Sequence, residues 1–518
     1  MIDLLNLPNE ILVNITSLLT IKDILNLASC SKQSRNLLHL IKSNNQVNYA
    51  SIYNLFYFDS FTKVVYSEYT THHGYQEYGN IEKWDNKIFG AAYRFPKSIQ
   101  TLKWFLSDPL PDNLPATITE IEMEGNYDST SHFPENLKRL NMSRNVYNNP
   151  LPNLPDSLIH LELGRIYSHK LPKLPKSLRT LKLSTGYKHT LPPLSDSLKC
   201  LSLGSCSDEQ LPHFPDSLTH LDLGDWKANH AVEFPSSLKY LKLSSDYDHP
   251  LVQLHEGLEE LDLGFKHNHP LPPLPETLTS LKLSWYYNQL LPTLPAGLKI
   301  LNLGHEYNYP LSQLPDSLVE LYLSDSFDYE LPPLPDSLKM LNLGENFNHE
   351  LPLLPDSLKQ LYLSLWFTHR LPRELPESLE ELILSVNYSY RLPRLPNSLK
   401  YLEINHDYEW PLPRLPDSLV HLEFNGGFYA PLPPKPKSLV SLHIQYPESF
   451  IEAIEEIIGN KAPKDLIEAW ELASENISDP PDLDDPYDSE EEYEYEMNKE
   501  LVNTCERLTY LLERRARW

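Results

Sequence analysis

The side chains in this sequence that most readily suggest metal binding or catalysis are histidines at a regular spacing. Imidazole is both a common metal ligand and the usual general acid and base near neutral pH. No cluster of carboxylates and histidines with catalytic spacing accompanies them, and each occupies the same repeat position, two residues past a mostly aromatic one. We therefore predict a polar ladder along loop edges, with no bound metal and no catalytic residue. These histidines are His169, His189, His249, His269, His349 and His369.

The cysteine thiols give no stronger indication of a functional site than the histidines do. Cys30, Cys200, Cys206 and Cys505 are too few and too scattered for a disulfide framework or a zinc site. They favour a reducing, intracellular setting. The chain also has no glycine-rich phosphate loop, and no cofactor is predicted.

The elements that position these side chains are repeats of about twenty residues. The phrase Leu-Pro-x-Leu-Pro-Asp-Ser-Leu-x-x-Leu-x-Leu-Gly/Ser recurs, for example with Pro-Asp-Ser-Leu at 315–318 and again at 335–338. About eighteen units follow one another, with Ser195 and His255 in place of the proline and one inserted residue near Glu374. A unit of this length cannot bury its apolar face alone, so neighbouring units must stack into a solenoid.

Each unit is predicted to contain one short strand. Leu341 and Leu343 alternate with Asn342, which places both leucines on one side of a strand. Stacked strands form a parallel sheet on the concave face, and the prolines exclude regular helix from the outer side. A recurring aromatic position should add one ring per coil to a continuous stack: Tyr167, Tyr187, Tyr247, Tyr287, Tyr307, Phe327, Phe347, Phe367, Tyr388, Tyr408 and Phe428.

Composition by segment predicts an α+β chain with five parts. Residues 1–41 form a helical unit, 42–94 an aromatic-rich linker and N-terminal cap, and 95–446 the repeat solenoid. Residues 447–477 are predicted to be a helical C-terminal cap. Residues 478–518 begin with an acidic, proline-containing stretch of the kind that stays disordered and end in a helix.

The net charge of -27 argues against binding to nucleic acid or to an anionic membrane. The N-terminus lacks the cationic start of a secretory signal, and no apolar run is long enough to cross a bilayer. We therefore expect protein partners only, and a soluble chain in the cytoplasm or nucleus.

The repeat resembles a known family. Residues 298–311, read as Leu-Lys-Ile-Leu-Asn-Leu-Gly-His-Glu-Tyr-Asn-Tyr-Pro-Leu, follow the pattern of FNIP repeats, and the resemblance covers about two thirds of the chain. The asparagine after the aromatic is present in some units and gives way to Asp, Lys or Thr in others. It is kept at Asn148, Asn268, Asn288, Asn308 and Asn348.

The N-terminal unit permits two interpretations. Its apolar residues lie at helical spacing and could simply cap the array. The order Leu-Pro-x-Glu-Ile-Leu-x-x-Ile, with Asp-Ile-Leu-x-Leu downstream, resembles an F-box, a helical motif that docks onto the Skp-type adaptor of cullin-RING ubiquitin ligases. This resemblance implies that an exposed apolar face contacts the adaptor through Leu7, Pro8, Ile11, Leu12, Ile15 and Ile24.

An F-box followed by such an array resembles proteins from amoebae and giant viruses, and a viral origin would place the chain in the host cell cytoplasm. The arrangement implies a non-enzymatic substrate receptor, a monomer within a larger cullin complex, whose solenoid binds a target protein. Residues flanking the strand leucines vary from unit to unit, and aromatic or Met anchors dominate interfaces. We predict target contacts at Tyr240, Tyr322, Met340, Tyr362 and Tyr401.

Two other functions remain open. The chain could be an FNIP scaffold that recruits no ligase, in which case the N-terminal helices would bury against the array. It could also be a ubiquitin ligase with its own catalytic thiol, since bacterial effectors of that kind carry similar repeats. Only Cys505 lies after the array, in a segment of about seventy residues, which is short for a catalytic domain.

Overall fold

The computed structural model divides the chain into two compact units, Met1–Tyr247 and Asp248–Trp518. Both units consist of short parallel strands joined by turns and extended segments. The residues that it describes are 43–48, 61–67, 95–105, 110–123, 132–143, 148–204, 211, 213–226, 231–404, 408, 410–425 and 433–444.

The described residues of the first unit form ten strands, each paired in parallel with the next along the chain. In this unit the strands after the fourth are three residues long. In each of these coils, only the segment around one central leucine pairs as a strand. They are β1 (Ser43–Asn48), β2 (Phe61–Ser67), β3 (Thr101–Phe105), β4 (Glu120–Met123), β5 (Arg139–Asn141), β6 (His160–Glu162), β7 (Thr180–Lys182), β8 (Cys200–Ser202), β9 (His220–Asp222) and β10 (Tyr240–Lys242).

In the part of the second unit that the structure describes, a further ten strands have the same parallel pairing between neighbours. They are β11 (Glu260–Asp262), β12 (Ser280–Lys282), β13 (Ile300–Asn302), β14 (Glu320–Tyr322), β15 (Met340–Asn342), β16 (Gln360–Tyr362), β17 (Glu381–Ile383), β18 (Tyr401–Ile404), β19 (His421–Phe424) and β20 (Ser441–Ile444).

The register within each unit is set by the repeat length. Leu321 pairs with Leu341, and Leu341 with Leu361, so that each central leucine lies opposite its equivalent twenty residues on. The insertion near Glu374 is absorbed before the strand, because Leu361 pairs with Leu382 and the ladder continues. A one-residue slip would turn every leucine toward solvent, which is why the period is kept so strictly.

The predicted parallel-strand solenoid is thus confirmed, and each of the eighteen predicted repeats supplies one strand, β3 to β20. The α part of the α+β prediction is not confirmed, because none of the residues that the structure describes is helical. The predicted helices of 1–41, 447–477 and 478–518 lie outside the described residues.

Residues 42–94 hold a feature that the sequence pattern did not indicate. Two strands, β1 and β2, lie in this segment, and β2 pairs in parallel with β3 of the first repeat. Val64 is fully buried opposite Leu102. The predicted N-terminal cap therefore continues the sheet, although its sequence lacks the leucine-proline period from which strands were inferred.

The core consists of the strand leucines and a stack of rings, one for each coil. Leu318, Leu321 and Phe327 are all fully buried, and the rings of Phe327 and Phe347 lie 6.3 Å apart at 13°. Burying a leucine or phenylalanine side chain contributes about 1.5 to 3 kcal/mol before entropy is subtracted. The predicted aromatic is buried at every described position, and successive rings are stacked from Tyr287 to Phe367. Phe428 lies outside the described residues.

Two residues in equivalent parts of the coil were not predicted. His267 is fully buried, and its ring lies parallel to that of Tyr287 at 6.4 Å. Trp226 is also fully buried, one residue earlier than the period predicts. A flat aromatic ring therefore fills this position of the coil. Histidine also fits there, although its polar ring is then buried.

Several tyrosines at this position also bind the main chain. The hydroxyl of Tyr408 accepts a hydrogen bond from the amide of Leu392 at 2.9 Å, and that of Tyr388 from Leu371 at 3.3 Å. The donors are the amides that begin the Leu-Pro stretch. Since a buried amide without an acceptor is costly, tyrosine at this position satisfies a group that phenylalanine cannot.

The Pro-Asp-Ser-Leu phrase is a turn with a second function between coils. The amide of Leu338 donates to the carbonyl of Pro335 at 3.0 Å, which closes the turn. The hydroxyl of Ser337 reaches the carbonyl of Leu318 in the preceding coil at 2.6 Å. The serine therefore links adjacent coils through their backbones.

The residue after the strand alternates between serine and glycine for steric reasons. The hydroxyl of Ser284 donates to the carbonyl of His267 at 2.6 Å, inside the coil. Gly304 has a φ of +71°, and a Cβ there would lie 2.1 Å from the carbonyl oxygen of Ser284. Only glycine fits at that position, because any side chain would clash with the preceding coil and φ is positive.

No helix among the described residues is long and apolar enough to span a bilayer.

Candidate protein-interaction surface

The strand face is the set of side chains on either side of the central leucine in each strand. On β15, Leu341 is fully buried while Met340 and Asn342 are partly exposed. This burial pattern recurs on nearly every strand, because the strand has one side toward the core and the other toward solvent. The variable side chains of the repeat are therefore accessible for contacts.

In the first unit this face is a set of ion pairs between neighbouring strands. Lys103 contacts Glu122 at 2.7 Å, and Lys182 contacts Glu162 at 3.7 Å. The same arrangement joins Lys242 to Asp222 at 3.3 Å. Each carboxylate thus has an ammonium group from an adjacent strand as its neighbour.

The second unit begins in the same way. Lys282 on β12 contacts Asp262 on β11 at 3.3 Å. From β14 onward the pattern changes, since strands β14 to β20 contain neither Lys nor Arg. Their side chains are mainly Tyr, Glu, Asn, Gln and His.

Tyrosine hydroxyls take the place of the cations in this part of the second unit. Tyr401 lies 2.8 Å from Glu403 and 2.9 Å from Glu423, and its hydroxyl can donate to either carboxylate. Tyr362 donates to Glu381 at 2.8 Å, an oxygen that Gln360 also contacts. We call the partly exposed side chains of β14 to β19 on this face the Tyr/Glu face.

The carboxylates alter the chemistry of these phenols. Partial burial, reinforced by the hydrogen bonds to Glu403 and Glu423, raises the pKa of Tyr401 well above its usual range. The pKa of Tyr362 is raised by burial and by Glu381 in the same way. The phenols therefore remain neutral hydrogen-bond donors, and the negative charge of the face resides on the glutamates.

The five predicted target-binding residues all lie on the strand face, but not in one cluster. Tyr322, Met340, Tyr362 and Tyr401 lie on β14, β15, β16 and β18 of the second unit. Tyr240 lies on β10 of the first unit, where its ring is stacked on that of His220 at 6.1 Å. Their position does not test whether they contact a target, so target binding by these residues stays a prediction.

Sequence reasoning missed the glutamates that complete the Tyr/Glu face. Glu320 accepts from Tyr322 at 3.1 Å, and Glu403 accepts from Asn425 at 2.7 Å. The signal was available in the residues that alternate with the strand leucines, where Lys occurs up to β12 and is absent beyond it. The aromatic residues on these strands do not themselves indicate this change of charge.

The six predicted adaptor-binding residues, Leu7, Pro8, Ile11, Leu12, Ile15 and Ile24, lie outside the described residues. The same holds for Cys505. Cys200 is on β8, forms no disulfide, and has its thiol pKa raised by burial. A thiol with a raised pKa is a poor nucleophile.

The repeated histidines contact the preceding coil. His369 lies 3.0 Å from the carbonyl of Asn348, and His169 lies 2.8 Å from that of Asn148. Five of the six rings also contact the ring two residues earlier, as His369 does with Phe367 at 6.0 Å. Among the described residues, no group of three His, Cys, Asp or Glu side chains could hold a metal ion. The histidines thus form an edge ladder between coils.

A second edge ladder explains the variable asparagine of the repeat. The side-chain oxygen of Asn308 accepts from the amide of Asp328 at 3.2 Å, and that of Asp328 accepts from the amide of Asn348 at 3.3 Å. Either side chain serves, because only its oxygen is used. Replacement of Asn by Asp therefore leaves this ladder intact.

Comparison with known proteins agrees with both predicted resemblances. Residues 4–45 match the F-box domain, and residues 287–326 and 327–365 each match the FNIP Repeat. The resemblance to F-box and FNIP repeat proteins is confirmed over these residues. No curated protein matches the chain.

Several solved structures of leucine-rich-repeat proteins are similar to the chain. YopM from Yersinia enterocolitica WA-314 is 28% identical, with a TM-score of 0.47, over 68% of this chain and 80% of that one. CroV588, described as a novel circular LRR protein, is 24% identical, with a TM-score of 0.46, over 68% and 67% of the two chains. The LRR protein LIC12759 of Leptospira interrogans is 24% identical, with a TM-score of 0.36, over 70% and 88%.

Proposed function

We propose that the chain is the substrate-recognition subunit of a Skp-cullin-F-box type ubiquitin ligase. The match of residues 4–45 to the F-box domain is the observation that carries this proposal. In this role the F-box docks on a Skp-type adaptor and the repeats bind a target protein. In this role the chain positions the target protein, and the other ligase components carry out the transfer of ubiquitin.

The strand face supports the recognition half of the proposal. Its frame of leucine, serine and proline is nearly constant, whereas the partly exposed residues next to Leu321, Leu341 and Leu361 differ from strand to strand. A constant frame with a variable surface is what protein recognition by repeats requires. We expect the receptor to act as a monomer within the ligase complex, in the cytoplasm or nucleus.

The direct test is complex formation between the purified full-length chain and a Skp-type adaptor. In the resemblance, Ile11 and Leu12 lie on the apolar contact face, so Ile11→Asp with Leu12→Asp should abolish co-elution in size-exclusion chromatography. A matched control, Asn14→Asp with Asn26→Asp, adds the same charge in the same segment and should leave the complex intact. Co-elution of the Ile11/Leu12 variant would contradict the proposal.

An FNIP scaffold without ligase recruitment is the second candidate. It is favoured by the size of the repeat array, which holds eighteen of the twenty strands found among the described residues. In that case the wild-type chain binds no Skp-type adaptor, although target proteins still co-purify with it.

An enzymatic role, with Cys505 as the catalytic thiol, is the third candidate. A ubiquitin thioester on Cys505, detected by its sensitivity to reducing agent and lost in Cys505→Ser, would establish that role and overturn the receptor proposal.

A further inference from the structure

The Tyr/Glu face carries negative charge that no lysine or arginine on its strands balances. Glu320, Glu381, Glu403 and Glu423 lie on β14, β17, β18 and β19, and these strands contain no Lys or Arg. The nearest lysines in sequence, Lys359 and Lys400, contact Glu380 instead, at 2.7 and 2.6 Å. His421 is the titratable base that shares the face.

Other strands of the same frame show what such a carboxylate binds. Asp262 has the ammonium group of Lys282 at 3.3 Å, and Glu122 has that of Lys103 at 2.7 Å. In both cases the cation comes from an adjacent strand. Glu403 and Glu423 occupy the equivalent place on β18 and β19, whereas Glu381 precedes the central leucine of β17. Tyrosine and amide donors are the partners of these carboxylates.

Tyrosine rings between carboxylates are suited to a particular kind of cation. A guanidinium group stacks on an aromatic face and donates hydrogen bonds to carboxylates in one plane, which a hydrated ammonium does less well. Tyr362 and Tyr401 are partly exposed and lie next to Glu381 and Glu403. The face therefore offers both ring surface and charge to an arginine side chain.

We propose that the Tyr/Glu face is the docking site for an arginine-rich segment of a partner protein. This inference rests on the proposed function, since it names the chemistry of the target that the repeats recognise. Charge complementarity selects the partner: a chain of net charge -27 repels acidic proteins and nucleic acids, and the longest run of described strands without Lys or Arg is β13 to β20, which includes the Tyr/Glu face.

The strand spacing sets the length of the segment. Five steps of about 4.8 Å from β14 to β19 span about 24 Å, which an extended peptide covers with about seven residues. An extended basic segment of about that length, running across the strands, can contact all four glutamates.

The test is direct binding of a short fluorescein-labelled peptide of alternating arginine and glycine to the full-length chain, measured by anisotropy. A peptide with glutamine in place of arginine is the neutral probe, and one with lysine tests the preference for guanidinium. We expect affinity in the order arginine, lysine, glutamine. Equal binding of the arginine and glutamine peptides would overturn the proposal.

Variants locate the site. Glu381→Gln with Glu403→Gln should weaken arginine-peptide binding about tenfold, since two charge contacts are lost. The matched control, Glu122→Gln with Glu162→Gln, removes the same charge from the strand face of the first unit and should change affinity less than about twofold. Equal weakening by both pairs would show that only overall charge matters and would overturn the proposal.

Two further measurements address misfolding of the variant and competition by this chain's own C-terminal segment. If the first pair fails to fold, Glu403→Gln is compared with Glu162→Gln in the same way. The basic residues Arg514, Arg515 and Arg517 could compete as an internal occupant. Tighter peptide binding after all three become Gln would assign the face to this chain's own C-terminal segment, and so overturn the assignment to a partner.

The peptide measurement uses no adaptor. Failure of adaptor binding with intact peptide binding would refute the ligase role alone. Failure of peptide binding with intact adaptor binding would refute this inference alone.

Discussion

The hydroxyl oxygen of Ser357 lies 2.6 Å from the main-chain carbonyl oxygen of Leu338 in the preceding coil. The same contact is made by Ser217 to Leu198 and by Ser418 to Leu399. Serine in the Pro-Asp-Ser-Leu phrase is therefore an inter-coil hydrogen-bond donor, and its recurrence has a structural cause independent of any partner.

This role predicts the effect of substitution at Ser357. Ser357→Ala should lower the free energy of unfolding by about 1 kcal/mol, because a part-buried carbonyl loses its donor. Ser357→Thr should be close to neutral, since Thr277 makes the same bond to Leu258 at 2.8 Å. Urea titration followed by circular dichroism measures both. Equal destabilisation by Ala and Thr would contradict the role of the hydroxyl.

Glycine after the strand should be intolerant of any side chain. Gly304→Ala places a Cβ 2.1 Å from the carbonyl oxygen of Ser284 at a φ of +71°. We expect a loss of about 3 kcal/mol or more, from strain together with a backbone shift. Gly297 is the control, because its nearest backbone atom would be 3.5 Å from a Cβ. Gly297→Ala should leave the urea midpoint unchanged or raise it.

His267 makes the second unit sensitive to acid. Burial lowers the pKa of His267 to about 4, with a further contribution from His269 and an opposing one from Asp248. The unfolded chain therefore binds more protons between about pH 6.5 and 4, and stability is full above this window and falls as the pH is lowered through it. The loss should be roughly 3 kcal/mol by pH 4.

The variant His267→Phe isolates that contribution. It supplies the ring that Phe327 and Phe347 supply in other coils, both fully buried. The pH dependence of its urea midpoint should be smaller than that of the wild-type chain by this amount, while groups elsewhere titrate equally in both. Identical pH profiles for the two proteins would contradict the buried neutral state of His267.

Much of the solenoid could be predicted from sequence because it depends on periodic burial. Leu321, Leu341 and Leu361 lie opposite one another as the period of twenty requires, and Phe327 and Phe347 stack in the predicted places. The strands β1 and β2 could not be predicted in this way, because parallel pairing to β3 depends on backbone hydrogen bonds that any non-repetitive sequence can form.

The candidate surface was predictable in position but not in chemistry. Alternation around Leu361 and Leu402 places Tyr362 and Tyr401 on the strand face, as expected. Which carboxylate each tyrosine binds depends on side-chain directions across strands that are far apart in sequence. Tyr401, for example, contacts Glu423 on the next strand as well as Glu403 on its own.

The central claim is that the chain joins a ligase at the F-box and a target at the strand face. It is tested most directly by affinity purification of the full-length chain from cells, followed by mass spectrometry, in three forms: wild type, Ile11→Asp with Leu12→Asp, and Glu381→Gln with Glu403→Gln. We predict that the first variant loses the Skp-type adaptor and cullin but keeps target proteins, and that the second keeps the ligase and loses arginine-rich targets. Retention of adaptor and cullin by the Ile11/Leu12 variant would contradict the account.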